Sequence, residues 1–207
     1  MKRIAAFLTM GMAVVVLAVT AGLAGNVLFE DKFTAMDAGW GVPANYFFVK
    51  DGKIILSPPV GTAVAPINQS VFLPDDMDAS ITMNFQKGAA EDRASGFLFW
   101  VNSATEYYGL MLSPNGMVGV IRSVAGGRVL MPAPWQQSDA IKKGEGVDNV
   151  LRVVTKGTQG TAYINGRQVA IFSGQPPAGG SQIGLKASSG DTAVNVVAFS
   201  NFKVVQP

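Results

Sequence analysis

The chemistry open to this chain is narrowed first by two residue types that it lacks. Its 207 residues include no histidine and no cysteine. Nucleophilic catalysis by Ser-His-Asp or Cys-His groups is therefore excluded, and so are metal sites built on imidazole or thiolate ligands. What remains is carboxylate chemistry. Glycosidases of the retaining type use it, with two carboxyl groups about 5 Å apart that serve as nucleophile and acid.

The glutamates are the first place to look for such a pair. They are Glu30, Glu91, Glu106 and Glu145, and no predicted strand carries alternating acids. Glu91 and Asp92 fall in a loop flanked by Gly and Ala, and Glu106 lies in a turn. These three are the candidates for catalysis, because they flank the ends of one predicted strand pair. The alternative, which the scattered positions favour, is that they are solvated loop acids.

A group of aspartates in LPDDMDAS has the oxygen ligands that Ca²⁺ prefers. Asp75, Asp76 and Asp78 are the candidate metal ligands. They lack companion Asn or Asp residues at the fixed spacing of a dedicated calcium loop. A turn capped by Asp at the entry to a strand explains the same pattern better. We therefore predict no cofactor, with a structural calcium ion as the alternative.

Aromatic residues indicate a binding site more strongly than the acids do, since flat Trp and Tyr rings pack on the apolar faces of sugars. Within Gly96–Val101 (GFLFWV) the phenylalanines alternate with other residues, and we expect them to face between two sheets. Trp100 is then expected on the outer face. Tyr107 or Tyr108 and Arg122 lie on neighbouring predicted strands, and Trp100, Tyr108 and Arg122 form the candidate ligand site.

A second aromatic candidate, Trp135, is expected in a loop, in the segment MPAPWQQSD. The polar side chains of Gln136, Gln137 and Ser138 follow it and would suit the hydroxyls of a polyol. The alternative is structural. Trp40 and Trp135 would then pack as lids over the ends of the folded domain, as aromatic residues commonly do.

The elements that must position these residues are short strands. From Asp148 to Val204 apolar and polar residues alternate, which is typical of half-buried antiparallel strands. Asp51-Gly52 and Asn165-Gly166 are hairpin turn signals. About 12 to 14 strands follow at a spacing of roughly 8 to 12 residues, and this pattern predicts an all-β, two-sheet antiparallel sandwich. We expect the first strand, near Val27–Phe33, to pair with the last, near Ala193–Val204.

The proline-rich segment Ser57–Pro66 is excluded from a central strand position, because proline lacks the N–H that a sheet ladder needs.

The N-terminal residues resemble a secretory signal peptide. Lys2 and Arg3 precede an uncharged run, Ile4–Ala24, that ends in small residues at Gly22 and Ala24. A retained transmembrane anchor is the alternative, since the run is close to the roughly 20 residues that a bilayer requires. The small residues favour cleavage after Ala24. Residues 1–24 are thus predicted to be a signal peptide, and residues 25–207 a single domain that is periplasmic or secreted.

Charge excludes several partners. Cleavage would remove Lys2 and Arg3, two of the 16 basic residues. The basic residues that remain would equal the 14 acidic residues in number. Nucleic acids and acidic membranes both require clustered Lys or Arg. We therefore expect no nucleic-acid partner and no stable membrane insertion of the mature domain. Because the chain has no cysteine, we expect the domain to be stabilised by burial of apolar side chains without disulfides. This favours a protein of the bacterial envelope over an animal extracellular module.

The order of several motifs is similar to that of a known family. These motifs are EDKF…GWG, VKDGK, GFLFW…YYGLMLSPNGMVGVIR, NVLRVVTKG…AYINGRQVA, IGLKA and VAFSNFKV. Together they resemble the concanavalin A-like lectin/glucanase superfamily, and within it bacterial exported proteins of the 3-keto-disaccharide hydrolase or family 16 glycoside hydrolase-like type. The resemblance implies a jelly-roll fold and carbohydrate-related function. Family 16 enzymes carry a Glu-x-Asp-x-(x)-Glu strand, and this chain has none.

Three hypotheses for the function follow. The first is a non-catalytic module that binds a glycan or another component of the cell envelope. The second, which the resemblance implies, is a hydrolase of keto-sugar glycosides. The third is a structural envelope protein that binds another protein. The absence of a catalytic motif favours the first, because two placed carboxylates are the usual requirement for glycoside cleavage.

Export gives the first testable prediction. Expressed with its own leader in a Gram-negative host, the protein should reach the periplasm with a new N-terminus at Gly25 or Asn26. The reason is that small residues precede this point, as signal peptidase requires. Intact-mass measurement of the periplasmic fraction checks it. A membrane-bound, full-length species would support the anchor instead.

Overall fold

The computed structural model describes residues 25–87 and 93–207, and this part of the chain is almost entirely β-structure. Its strands, numbered in chain order, are β1 (Val27–Asp31), β2 (Phe47–Lys50), β3 (Lys53–Leu56), β4 (Ala63–Val64), β5 (Asp78–Lys87), β6 (Ser95–Ser103), β7 (Glu106–Leu112), β8 (Met117–Val124), β9 (Arg128–Gln137), β10 (Asn149–Lys156), β11 (Gln159–Ile164), β12 (Arg167–Ser173), β13 (Gln182–Ser188) and β14 (Val196–Val205). One turn of 3-10 helix, Ala38–Trp40, lies between β1 and β2.

The strands form two antiparallel sheets, which confirms the predicted jelly-roll sandwich. The larger sheet has the order β12-β11-β10-β5-β14-β3-β2, and β1 pairs with the other end of β14. The smaller sheet has the order β4-β13-β6-β7-β8-β9. Val27 lies opposite Val205, so the first and last strands pair as expected.

The two dipeptide turn signals fold as the sequence predicts. Asp51 and Gly52 have φ angles of 51° and 71°, and Asn165 and Gly166 have φ angles of 51° and 81°. Both central residues of each turn are therefore left-handed. This is the geometry that matches the natural twist of two paired strands, and Asn, Asp and Gly adopt it most easily. The turns join β2 to β3 and β11 to β12.

The placement of Trp135 in a loop is wrong. Trp135 lies in β9, which pairs only with β8 and so forms an edge of the smaller sheet. Pro132 and Pro134 belong to the same strand. An edge strand tolerates them, because an N–H on its outer side has no ladder partner to lose. The other proline-rich segment behaves as predicted, since it contributes only the two-residue edge strand β4.

A row of aromatic rings packs between the two sheets. The ring centroids of Phe202 and Phe97 are 5.7 Å apart, and those of Phe97 and Phe99 are 6.0 Å apart. Trp40 stacks on Phe202 with ring centroids 6.1 Å apart. Trp40 therefore has the structural packing role that was the alternative to ligand binding. Phe199 is also fully buried. The inward positions of the phenylalanines in β6 are therefore confirmed.

The expected exposure of Trp100 on the outer face is wrong, because a bulge interrupts β6. The register between β6 and β7 shifts between Phe99 and Ser103, and Trp100 has a φ angle of 47°. A bulge places two consecutive side chains on the same side of a sheet. Phe99 and Trp100 therefore both enter the core, and Trp100 is only 1% exposed.

The predicted signal peptide, residues 1–24, lies outside the described residues, so its cleavage stays a prediction. Within residues 25–87 and 93–207, no helix has the length and apolar character needed to cross a bilayer.

The aromatic row predicts a large effect of Phe202→Ala on stability. Phe202 is fully buried and contacts rings from both sheets, so truncation should lower the free energy of unfolding by about 3–5 kcal/mol. Urea denaturation measures this. Phe72→Ala is the matched control, because Phe72 is 70% exposed and its loss should cost about 0.5 kcal/mol or less. Equal effects of the two substitutions would contradict the assignment of Phe202 to the core.

Candidate functional site

A cavity of about 440 Å³ lies at one end of the smaller sheet. The β6–β7 hairpin, the end of β8 and the loop between β12 and β13 meet there. The residues that line it are Trp100, Asn102, Glu106, Tyr107, Tyr108, Arg122, Ser123, Val124, Gln175, Pro176, Pro177 and Ala178. The strand register explains the meeting, since Ser103 lies opposite Glu106 and Tyr107 lies opposite Ser123.

Three of the four predicted ligand-binding residues meet in this cavity. Trp100, Tyr108 and Arg122 all line it, together with the catalytic candidate Glu106. Trp135 does not belong to this group. Its indole lies against Gly119, where an added Cβ would stand 3.1 Å from the ring, and it does not line the cavity.

The aromatic residues form the floor of the cavity and offer no exposed platform. The rings of Trp100 and Tyr108 meet edge to face with centroids 5.2 Å apart. Tyr108 is 3% exposed, and Trp100 is held in place because its Nε1 donates a hydrogen bond of 2.9 Å to the carbonyl of Asp75. The two rings therefore expose little face on which a ligand could stack, and the accessible groups of the cavity are the polar ones of its walls.

Arg122 is fixed on one wall by two contacts. Its guanidinium lies over the Tyr108 ring, 5.3 Å from the centroid, in a cation–π arrangement. One Nη of Arg122 also donates to Oε1 of Gln175 at 2.9 Å. The backbone N–H of Gln175 in turn donates to the Tyr108 hydroxyl at 2.8 Å. Gln175 thus ties the β12–β13 loop to both residues.

Glu106, at the start of β7, brings a carboxylate to the lining of the cavity. Glu106 accepts a hydrogen bond of 2.8 Å from the side-chain amide of Asn102, across the β6–β7 turn. Beside it, the hydroxyl of Tyr107 accepts from Nζ of Lys186 at 2.8 Å. The lining therefore contains both hydrogen-bond donors and hydrogen-bond acceptors.

Sequence reasoning missed Asn102 and Gln175. The segment Gln175-Pro176-Pro177 signals a rigid loop, but its pairing with Arg122 spans 53 positions of the chain. Asn102 had a local signal, because it lies four residues before Glu106 across a tight turn.

Gly174 determines how closely the β12–β13 loop packs against the aromatic rings of the cavity floor. An added Cβ on Gly174 would stand 2.6 Å from the Trp100 ring and 3.1 Å from the Tyr108 ring. Only glycine lets the backbone approach the rings this closely. The height of the loop above the cavity therefore depends on this position.

Of the three catalytic candidates, the structure places only Glu106. Glu91 and Asp92 lie outside the described residues. Glu106 pairs with Ser103 at one end of the β6–β7 ladder, and Ser95 pairs with Leu112 at the other end. Among the described residues that line the cavity, Glu106 is the one carboxylate.

In the segment LPDDMDAS the carboxylates of Asp76 and Asp78 bind protein groups, whereas the buried Oδ1 of Asp75 has no hydrogen-bond partner among the described residues. Both oxygens of Asp78 accept hydrogen bonds from Arg152, at 2.6 and 2.7 Å. Chiefly this hydrogen bonding, and also the negative charge, raises the pKa of Arg152, while burial opposes the rise. Asp76 accepts from the backbone N–H of Gly157 at 2.6 Å, and the carbonyl of Asp75 accepts from Thr155 at 2.6 Å. Within the described ranges, no cluster of three metal-ligating side chains occurs, and the structural calcium ion stays a prediction.

Solved structures with the same fold include binding modules and glycosidases. The chain is similar to a carbohydrate-binding module, CBM66, from Bacillus subtilis, with a TM-score of 0.54 and 13% identity over 87% of this chain and 97% of that one. It is similar to the catalytic domain of an endo-1,3-β-glucanase (laminarinase) from Thermotoga petrophila, with a TM-score of 0.60 and 11% identity over 87% of this chain and 97% of that one.

A third similar structure is the GH43 protein BlXynB from Bacillus licheniformis, with a TM-score of 0.61 and 12% identity over 86% of this chain and 39% of that one. No family model and no curated protein matches the chain. At such low identities the likeness shows the fold alone. It supports the two-sheet jelly-roll sandwich that the sequence predicts.

The loop contacts predict a local effect of Tyr108→Phe. Loss of the hydroxyl leaves the N–H of Gln175 without its acceptor, so the loop should open more readily at a cost of about 0.5–1.5 kcal/mol. Hydrogen exchange of Gln175 and its neighbours should speed up, while exchange in the core strands stays unchanged. Tyr46→Phe is the control, because Tyr46 is exposed. If hydrogen exchange in the β12–β13 loop is unchanged in Tyr108→Phe, the Tyr108 hydroxyl does not hold this loop in place.

Proposed function

We propose that this domain binds a carbohydrate of the cell envelope or its surroundings without cleaving it. The observation that carries the proposal is the composition of the cavity at the end of the smaller sheet. It brings together one carboxylate, one guanidinium and two amides, from Glu106, Arg122, Asn102 and Gln175. Ligand pockets of this kind fix orientation with a few placed polar groups.

These groups suit the hydroxyls of a sugar. Each hydroxyl both donates and accepts, so it is best met by acceptors such as Glu106 beside donors such as Asn102 and Arg122. The volume of about 440 Å³ is in the range of small-ligand sites, roughly 300–1,000 Å³. The carbohydrate-binding module from Bacillus subtilis with this fold supports the same interpretation.

Export to the periplasm or secretion is part of the proposal. It is supported by the basic residues Lys2 and Arg3, the apolar run after them and the absence of cysteine. A bacterial glycan or another envelope component is then the available partner.

A hydrolase of the 3-keto-disaccharide type is the second candidate. Two observations favour it: Glu106 lines the cavity, and the Thermotoga petrophila laminarinase domain shares the fold. Such an enzyme needs a second carboxyl group, about 5 Å away for retention or roughly 6.5–9.5 Å away for inversion. The described residues that line the cavity provide one carboxylate, which favours binding over cleavage.

A structural envelope protein is the third candidate. The edge strands expose apolar side chains, with Val129 and Trp135 on β9 and Ile171 on β12. Exposed apolar groups can mark a protein contact. A structural protein that binds through these edge strands would not use the polar cavity. Carbohydrate binding does use it and is therefore the preferred proposal.

The burial of Trp100 changes how binding should be tested. Trp100→Ala would remove a core side chain and destabilise the domain by about 3–5 kcal/mol. Loss of binding in that variant would then report unfolding rather than a missing contact. Polar wall residues are the better targets.

We therefore expect Glu106→Gln to weaken binding while the fold is retained. Wild-type affinities for glucans or 3-keto-glycosides should fall between about millimolar and micromolar, equivalent to about −4 to −8 kcal/mol. Loss of the charged acceptor should weaken them by about tenfold or more. Glu30→Gln is the matched control, because Glu30 lies on β1, away from the cavity. Calorimetric titration measures the affinities.

The same samples distinguish the candidates. Product analysis after long incubation should show no cleavage of either substrate class. Turnover by the wild type that Glu106→Gln abolishes would establish the hydrolase and overturn the binding proposal.

A further inference from the structure

The guanidinium of Arg122 is held rigidly but is only partly used. It lies over the Tyr108 ring, and one of its nitrogens donates to Gln175. Arginine presents five N–H donors in a planar fork. The described residues offer no acceptor to the others, and Arg122 forms no ion pair with a described carboxylate. A charged group with spare donors therefore faces the cavity that it lines.

The fixed position matters because it lowers the cost of binding. A free arginine loses considerable side-chain entropy when it binds a ligand. Here the stacking on Tyr108 and the bond to Gln175 already restrict the side chain. A ligand would therefore bind a guanidinium that is already ordered. An ordered guanidinium can donate two parallel hydrogen bonds to a carboxylate.

The charges around the cavity point in the same direction. Glu106, which also lines the cavity, accepts a hydrogen bond from the neutral amide of Asn102 and forms no ion pair with Arg122 among the described residues. A second cation, Lys186, contacts the hydroxyl of Tyr107, which also lines the cavity. The lining itself therefore carries one guanidinium and one carboxylate that are not paired with each other, and Lys186 adds a cation next to the lining. The carboxylate is suited to accept from sugar hydroxyls.

From this arrangement we infer that the preferred ligand is an acidic saccharide, one whose sugar carries a carboxylate that pairs with Arg122. This rests on the proposed carbohydrate-binding function and narrows it. The carboxylate occupies the free fork of Arg122, while the ring hydroxyls of the same sugar face Glu106 and Asn102. A neutral sugar can bind through the hydroxyl contacts alone, and more weakly.

The test compares two probes that differ at one carbon. Methyl β-glucuronide and methyl β-glucoside share every ring hydroxyl, but one has a carboxylate where the other has a hydroxymethyl group. Titration of the purified protein, followed by nuclear magnetic resonance, should show about tenfold tighter binding of the glucuronide, as a charge-assisted pair supports. Raising the salt concentration should reduce this preference, because screening weakens a partly exposed ion pair.

Arg122→Gln is the diagnostic variant. It should remove the preference, so that the ratio of the two dissociation constants, glucoside over glucuronide, falls from about ten in the wild type to about one in the variant. Lys53→Gln, in the β2–β3 hairpin of the other sheet, removes one positive charge elsewhere and should leave the preference intact. The thermal melting of each variant checks folding, and the salt dependence of the wild type tests the ion pair without any substitution.

The outcomes separate the two proposals. Equal binding of both probes by the wild type, or a preference that persists in Arg122→Gln, overturns the acidic ligand and leaves the carbohydrate proposal standing. If neither probe perturbs the cavity residues at millimolar concentration, both proposals are overturned.

Discussion

The architecture depends on aromatic contact between the two sheets. Phe202 of β14 meets Phe97 of β6 at 5.7 Å, and the row continues through Phe99 and Trp100 to Tyr108. The protein has no cysteine, so burial of these large side chains must supply the stability that disulfides give to many exported domains. The row also links Phe202, on the strand that pairs with β1, to Trp100 and Tyr108 in the lining of the cavity. The core and the floor of the site are therefore one packed unit.

The bulge in β6 connects that packing to recognition. By turning Trp100 inward beside Phe99, it adds a ring to the core and removes a ring from the surface. Tyr108 is covered in turn by the guanidinium of Arg122. The cavity that results has an apolar floor and polar walls, so under the proposed function hydrogen bonds rather than ring stacking select the ligand. The strained backbone at Trp100 is retained because the core packing and the hydrogen bond to Asp75 hold it.

The fold could be predicted from local signals, and the site only in part. Alternation in β10 and β11 and the Asn165-Gly166 turn act within a few residues, so sequence alone was sufficient for them. The bulge at Trp100 has no such signal, since the non-glycine residue there adopts a positive φ that only tertiary packing imposes. The segment that forms β9 was predicted to be a loop, since it contains Pro132 and Pro134 and proline is rare in central strands. In the structure β9 is an edge strand, where proline is tolerated.

The same division applies to the cavity. The residue types of Arg122, Tyr108 and Glu106 indicated polar recognition, but their meeting depends on the register of three strands and on a loop more than fifty positions away. The overall neutrality of the predicted mature chain also concealed the site, because equal totals of acidic and basic residues do not require that each charge be paired with an opposite one. The guanidinium of Arg122 donates to a neutral polar partner, Gln175. A local field of this kind persists in a neutral protein, since the low-dielectric walls of a cavity focus it and bulk charge does not cancel it.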